Sequence, residues 1–226
     1  MTATAAGQSG TEAPPAGSWA LLFEELLSGI VHSINNTLTV IGVSLELASS
    51  ADAAGELAAM RREVAHLERF IALITVISSK SAPGEALEIQ AVIDLAFSIH
   101  AFSNPTRTVS HTLRIAGEIP PVRAPHATLL RLMLLLIDGA KHASLEAGEA
   151  TAHIEIDGDA ERVSIRAPGP TFSPVDAIPL AAACGGTFVV TDGIQVLELP
   201  SLQSLRRAKA TMTPDRTLMP RSAAES

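Results

Sequence analysis

Gly29-Ile30-Val31-His32-Ser33-Ile34-Asn35-Asn36-Thr37-Leu38-Thr39-Val40-Ile41 sets one imidazole among apolar residues at helical spacing. Read outward, Leu22, Leu26, Ile30, Ile34, Leu38, Ile41, Leu45 and Ala48 recur every three or four residues, the period of a helix that buries one stripe. At about 100° per residue, His32 stands about 200° around from Ile30 and points away from that stripe. Ser28, Asn36 and Thr39 share its side at spacings of three or four. Spacing alone leaves His32 either a plain surface histidine or a group placed for chemistry.

Ser49-Ser50-Ala51-Asp52 breaks this pattern, and a second helical stripe follows in Leu57, Met60, Val64, Leu67, Ile71, Ile74 and Ile77. Two long helices with a short connection predict an antiparallel hairpin over residues 18–80, with Ser18 as the first cap. A lone hairpin cannot bury both stripes, so a homodimer forming a four-helix bundle is expected. Residues 1–17, rich in Ala, Gly, Thr and Pro, read as a disordered lead.

Composition narrows the function classes. A net charge of −8 argues against a nucleic-acid surface, because phosphate contacts need clustered Lys and Arg. The single cysteine, Cys184, rules out an internal disulfide and fits a reducing cytoplasm. No signal peptide is expected. The longest unbroken apolar run, residues 132–137, is far short of the ~20 residues of a membrane span, so a soluble protein without a membrane anchor is expected. The other six histidines show no metal-ligand spacing.

Ser81-Ala82-Pro83-Gly84 punctuates the chain, and a mixed pattern follows over residues 85–200. Strands are expected near 86–89, 109–115, 151–156, 162–166, 187–191 and 195–199, with helices near 91–102, 126–145 and 174–184. Residues 201–226, polar and Pro-punctuated with Arg206, Arg207 and Lys209 close together, read as a short helix or flexible tail.

His32-Ser33-Ile34-Asn35-Asn36 followed by Leu38-Thr39-Val40-Ile41 resembles the phospho-accepting H-box of bacterial two-component histidine kinases. The run from Leu180 to Val190, then Val196 to Pro200, is similar to the last helix and strand pair of that family's ATP-binding domain. Together the matches span about residues 20–200. The fold implied is α+β: a helical hairpin dimerising into a four-helix bundle, then an α/β sandwich like the kinase ATP-binding domain.

The departures from the family pattern carry the functional expectation. The acidic residue that follows the histidine in the H-box is Ser33 here. The Asn-rich N-box, whose amides help hold Mg²⁺ and ATP phosphates, aligns with Leu135-Leu136-Ile137-Asp138-Gly139-Ala140-Lys141-His142-Ala143, so Leu135 and Gly139 replace both asparagines. The adenine-reading Asp aligns with Ala167 of Ala167-Pro168-Gly169-Pro170-Thr171. Only Ser173 and Pro174 follow Phe172 before the last expected helix, which leaves no ATP lid or second glycine box.

The resemblance with these losses implies a histidine phosphotransferase that relays phosphate at His32 between receiver-domain aspartates of response regulators, with no cofactor bound by this chain. Mg²⁺ is expected on the partner receiver. Asn36, one turn on, aligns with a position that often contributes phosphatase activity in the family. Ser28, Gly29, Ser33 and Thr39 are the expected partner-binding residues, Gly29, Ser28 and Ser33 being small enough to admit a partner helix. A hybrid histidine kinase is a further candidate partner; nucleic acid and membrane are not. The alternative is a non-catalytic pseudokinase adaptor, or a phosphatase acting on a response regulator.

Overall fold

The computed structural model describes residues 19–47, 53–79, 83–102, 109–169 and 175–212. The expected lead over 1–17, the Ser18 cap, the break at 49–52 and the connection at 170–174 lie outside the described residues. Helices α1 (Trp19–Leu47) and α2 (Ala53–Ser78) form the hairpin. The remainder runs β1 (Glu85–Leu87), α3 (Ile89–His100), β2 (Ser110–Ala116), β3 (Val122–Ala124), α4 (His126–Glu146), β4 (Thr151–Gly158), β5 (Arg162–Pro168), α5 (Ala177–Ala183), β6 (Thr187–Thr191), β7 (Ile194–Pro200) and α6 (Leu202–Met212).

Five strands make one mixed sheet in the order β2-β4-β5-β7-β6, with β2 and β4 parallel and every other pair antiparallel. The parallel pair needs a crossover, which α4 supplies. Its residues Leu129, Leu130 and Leu132 through Ile137 are buried around the whole helix, as expected for a helix packed on several sides. It lies against β4, β5, α3 and α5. Ala152, Ile154 and Ile156 of β4 point into that layer, while His153 and Glu155 point outward. The outer face carries two cross-strand ion pairs, Arg114 with Glu155 at 3.3 Å and Arg162 with Glu198 at 3.0 Å. Such exposed pairs contribute little stability.

Hairpin and sheet domain share one core. Leu22 and Leu26 of α1 and Ile77 of α2 belong to the same buried cluster as Ile93, Leu132 and Leu136. The Trp19 amide donates to Asp176 Oδ2 at 2.6 Å. Arg131 of α4 donates from Nε and Nη2 to Ile77 O at 3.1 and 2.7 Å, and from Nη2 to Ser79 O at 2.9 Å. A cation thus satisfies carbonyls that the end of α2 leaves without helical partners.

The expected single stripe on α1 divides in two. Leu22, Leu26 and Ile30 are buried, but the hairpin seam continues through the small polar Thr37 and Ser44. Leu38 and Leu45 turn outward, 51% and 60% exposed. On α2, Leu57, Val64 and Ile71 are likewise exposed, while Phe70, absent from the expected stripe, is buried with Ile77. The physical reason is that each step of four residues advances about 40° around a 3.6-residue helix, so the series Leu22, Leu26, Ile30, Ile34, Leu38 turns from the core to a second face. By length and composition α1 is also apolar enough to cross a membrane, although polar residues interrupt its apolar ones throughout. Its first turns, however, are packed into the core of the sheet domain.

Two further observations concern elements. Strand β3, which pairs with β1, was not expected; at three residues it is too short to show a period and is flanked by Pro121 and Pro125. The start of residues 201–226 takes the first of its two expected forms, the short helix α6, which follows Ser201. That residue is buried, bridges to Val122, and caps α6 by accepting the Ser204 amide at 3.0 Å. Residues 213–226 lie outside the described residues.

Candidate functional site

Three faces can be distinguished on α1: one packed inward through Leu22, Leu26, Ile30, Thr37 and Ser44, one apolar and exposed, and one polar and exposed. His32 sits on the last with Ser28, Asn36 and Thr39, all exposed. Asn36 Nδ2 lies 3.1 Å from His32 Nε2. An amide nitrogen can only donate, so this contact is a hydrogen bond with Nε2 accepting and the ring proton on Nδ1. The i,i+4 spacing makes this bond available without any other element. Thr39 Oγ1 donates to Asn35 O at 2.9 Å and is tied to its own helix.

His32 opens onto a cavity of about 670 Å³. One wall is α1, through Leu21, Glu24, Glu25, Ser28 and Gly29; the other is Ala101 and Phe102 at the end of α3. Phe102 packs edge-on to Phe70 with ring centroids 5.1 Å apart. The sequence did not disclose Leu21, Glu24, Glu25, Ala101 or Phe102 as groove residues, and the role of Phe102 arises from a contact between distant segments.

The structure corrects the reading of Gly29 as room for a partner helix. A Cβ there would overlap the Phe102 carbonyl oxygen, so the space is already occupied within the chain. Gly29→Ala is therefore expected to destabilise the fold by about 1–3 kcal/mol, the usual range for overpacking, despite alanine's better helix propensity. Urea denaturation measures the loss.

The positions aligned with the nucleotide boxes are packed. Leu135 and Ala167 are 3% and 4% exposed, and Gly139 is buried. Gln195 of β7 reaches across from the sheet, donating to Leu136 O at 2.7 Å and to Pro168 O at 2.8 Å. The Gly169 amide donates to Gly193 O at 2.7 Å. The end of β5 is thereby tied to both α4 and the β6–β7 turn. A sequence signal existed, since Gln195 stands in phase with buried Leu197 and Leu199. A polar residue in a buried phase must find a partner.

Asp138 is enclosed by its own chain. Its Oδ1 lies 3.4 Å from His100 Nε2 and 3.5 Å from His142 Nδ1, and Lys141 Nζ lies 3.2 Å from His100 Nδ1. Burial by itself raises the pKa of this carboxyl, but hydrogen bonds from His100 and His142, and their charge, outweigh it and hold the group well below the usual carboxylate range. A depressed folded-state value means stability that is present above the unfolded value near 4 and is lost as pH falls. The urea midpoint is expected to drop between about pH 4 and pH 2, and to drop less in Asp138→Asn.

The remaining singled-out groups are structural. His111 stacks on Phe97 at 3.7 Å, and His153 Nδ1 lies 2.7 Å from Thr112 Oγ1. Cys184 ends α5, is buried, and burial pushes its thiol up to about 11, so it remains an unreactive thiol.

No protein-family model matches the chain, and no curated protein matches it. Among solved structures, the chain is similar to the histidine kinase AdeS of Acinetobacter baumannii, with 13% identity, a TM-score of 0.44, and coverage of 76% of this chain and 98% of that one. It is also similar to a bacterial phosphotransferase, with 14% identity, a TM-score of 0.37, and coverage of 82% and 97%. A third likeness is to the histidine kinase ThkA in its complex with the response regulator protein TrrA, with 13% identity, a TM-score of 0.43, and coverage of 81% and 63%. Likenesses at this level assign no activity.

Proposed function

We propose that the chain is a dimeric histidine phosphotransferase of a two-component phosphorelay, working in the cytoplasm on receiver domains of response regulators. The observation that carries this reading is the exposed His32 imidazole, held by Asn36 at the mouth of a large groove. The packed state of Leu135, Gly139 and Ala167 supports the second half of it, that the phosphoryl group does not come from ATP.

The chemistry asks little of the acceptor. His32 Nε2 attacks the phosphorus of an aspartyl phosphate; the N–P bond forms as the acyl O–P bond breaks, and the aspartate leaves as carboxylate. The lone pair on Nε2 is available because the ring proton is on Nδ1, and Asn36 must release it as the phosphoryl group arrives. Mg²⁺ and a receiver lysine would neutralise charge on the moving group, so this chain needs no metal of its own. The reverse step passes the group to a second receiver. Ser33, a weak substitute for an acidic neighbour, is adequate where orientation supplies most of the rate.

The experiment is transfer of radiolabelled phosphate to the purified protein from ATP and, separately, from a panel of phosphorylated receiver domains, with His32→Ala alongside. Label from receivers alone, and only on the wild-type chain, is expected. Label from ATP would restore a kinase, and no label from either source would leave the adaptor.

A further inference from the structure

We infer that the groove beside His32 selects its receiver by charge, seating a basic segment of the partner against Glu24 and Glu25. This rests on the phosphotransfer reading and adds the partner's chemistry to it. The only charged side chains among the described residues lining the groove are those two carboxylates, Glu24 exposed and Glu25 half-buried. The whole of α1 carries Glu24, Glu25 and Glu46 and not one Lys or Arg. Glu25 stands seven residues before His32, two turns or about 10 Å along the same face.

A phosphoryl group brought to His32 adds negative charge where this chain already has two carboxylates and no described cation. The groove therefore repels a partner whose approaching surface is acidic and rewards one that carries Lys or Arg beside its phosphorylation site. A second hollow of about 530 Å³ shares Phe102 as a wall and is bordered by Arg69 and His66 on α2. Arg69 is the one lysine or arginine bordering that hollow among the described residues, and His66 lies 3.6 Å from Glu63, so the charge that seats the basic segment is that of Glu24 and Glu25. Leu21 supplies apolar contact area in the first hollow, Phe70 and Leu73 in the second, and Phe102 in both.

The test is the rate of transfer from a phosphorylated receiver as a function of receiver concentration and salt, in wild type and in Glu24→Lys/Glu25→Lys. Charge reversal is expected to raise the half-saturating receiver concentration about tenfold at low salt, with a smaller change in the plateau rate, and to flatten the salt dependence. Glu24→Gln/Glu25→Gln, which leaves the helix sterically unchanged, should give an intermediate shift and guards against misfolding of the reversed pair. Unchanged half-saturation and salt dependence in both variants, with wild type active, would overturn the charge selection and leave the phosphotransfer standing. A plateau that falls while half-saturation stays fixed would overturn it equally, since the carboxylates would then act on chemistry and not on docking. A wild-type chain that takes label from no receiver overturns both readings.

Discussion

Receiver-derived label is expected to vanish in His32→Ala and to accumulate about ten- to a hundredfold more slowly in Asn36→Ala. The first follows from the chemistry, because no other exposed imidazole stands on this face of α1. The second follows from the 3.1 Å bond between Asn36 Nδ2 and His32 Nε2. That bond selects both the rotamer and the tautomer of the ring, and losing orientation alone costs rates of this order. Asn36→Asp sharpens the test. A carboxylate only accepts, so it would draw the ring proton onto Nε2 and block the attacking nitrogen. Its rate should fall below that of Asn36→Ala, although aspartate is closer to asparagine in shape. Equal rates in the two variants would mean that Asn36 acts on something other than the tautomer.

Much of this site was legible in one segment, because the residues that compose its polar face are local. His32, Asn36, Ser28 and Thr39 follow from helical spacing within three turns, and no distant contact is needed to bring them together. The sheet domain was legible for a similar reason, since β4 and β7 alternate cleanly and α4 is apolar around its circumference from Leu132 to Ile137. The groove was not. It exists because the end of α3 brings Phe102 against Gly29 and Phe70, a contact across more than thirty residues that leaves no periodic trace. Arg131 escaped for the same reason: its three bonds to the end of α2 span more than fifty residues. Gly29 shows how a correct observation of smallness can be assigned to the wrong neighbour.

The apolar face that α1 and α2 leave open leads to the second large effect. Leu38→Glu combined with Ile71→Glu is expected to convert the proposed dimer to a monomer at micromolar concentration, measured by sedimentation equilibrium. Val31, Leu38, Leu45, Leu57, Val64 and Ile71 are each between 46% and 62% exposed in the single chain. Within each helix they recur at intervals of seven, the repeat of a knobs-into-holes seam. Fully burying one such side chain stabilises by roughly 1.5–3 kcal/mol, so six per chain offer enough to hold two copies together. Two carboxylates per chain buried at that seam without partners would cost several kcal/mol and break it. On α1 the seam is turned away from the chemistry, with Val31, Leu38 and Leu45 about 100°, 120° and 140° around from His32. The monomeric variant should therefore still accept label at His32, because its imidazole, Asn36 and the groove all belong to one chain. Loss of label together with loss of the dimer would instead mean that a receiver must touch both copies. A wild-type chain that sediments as a monomer would sink the dimer and leave this stripe of exposed leucine, valine and isoleucine for another partner to cover.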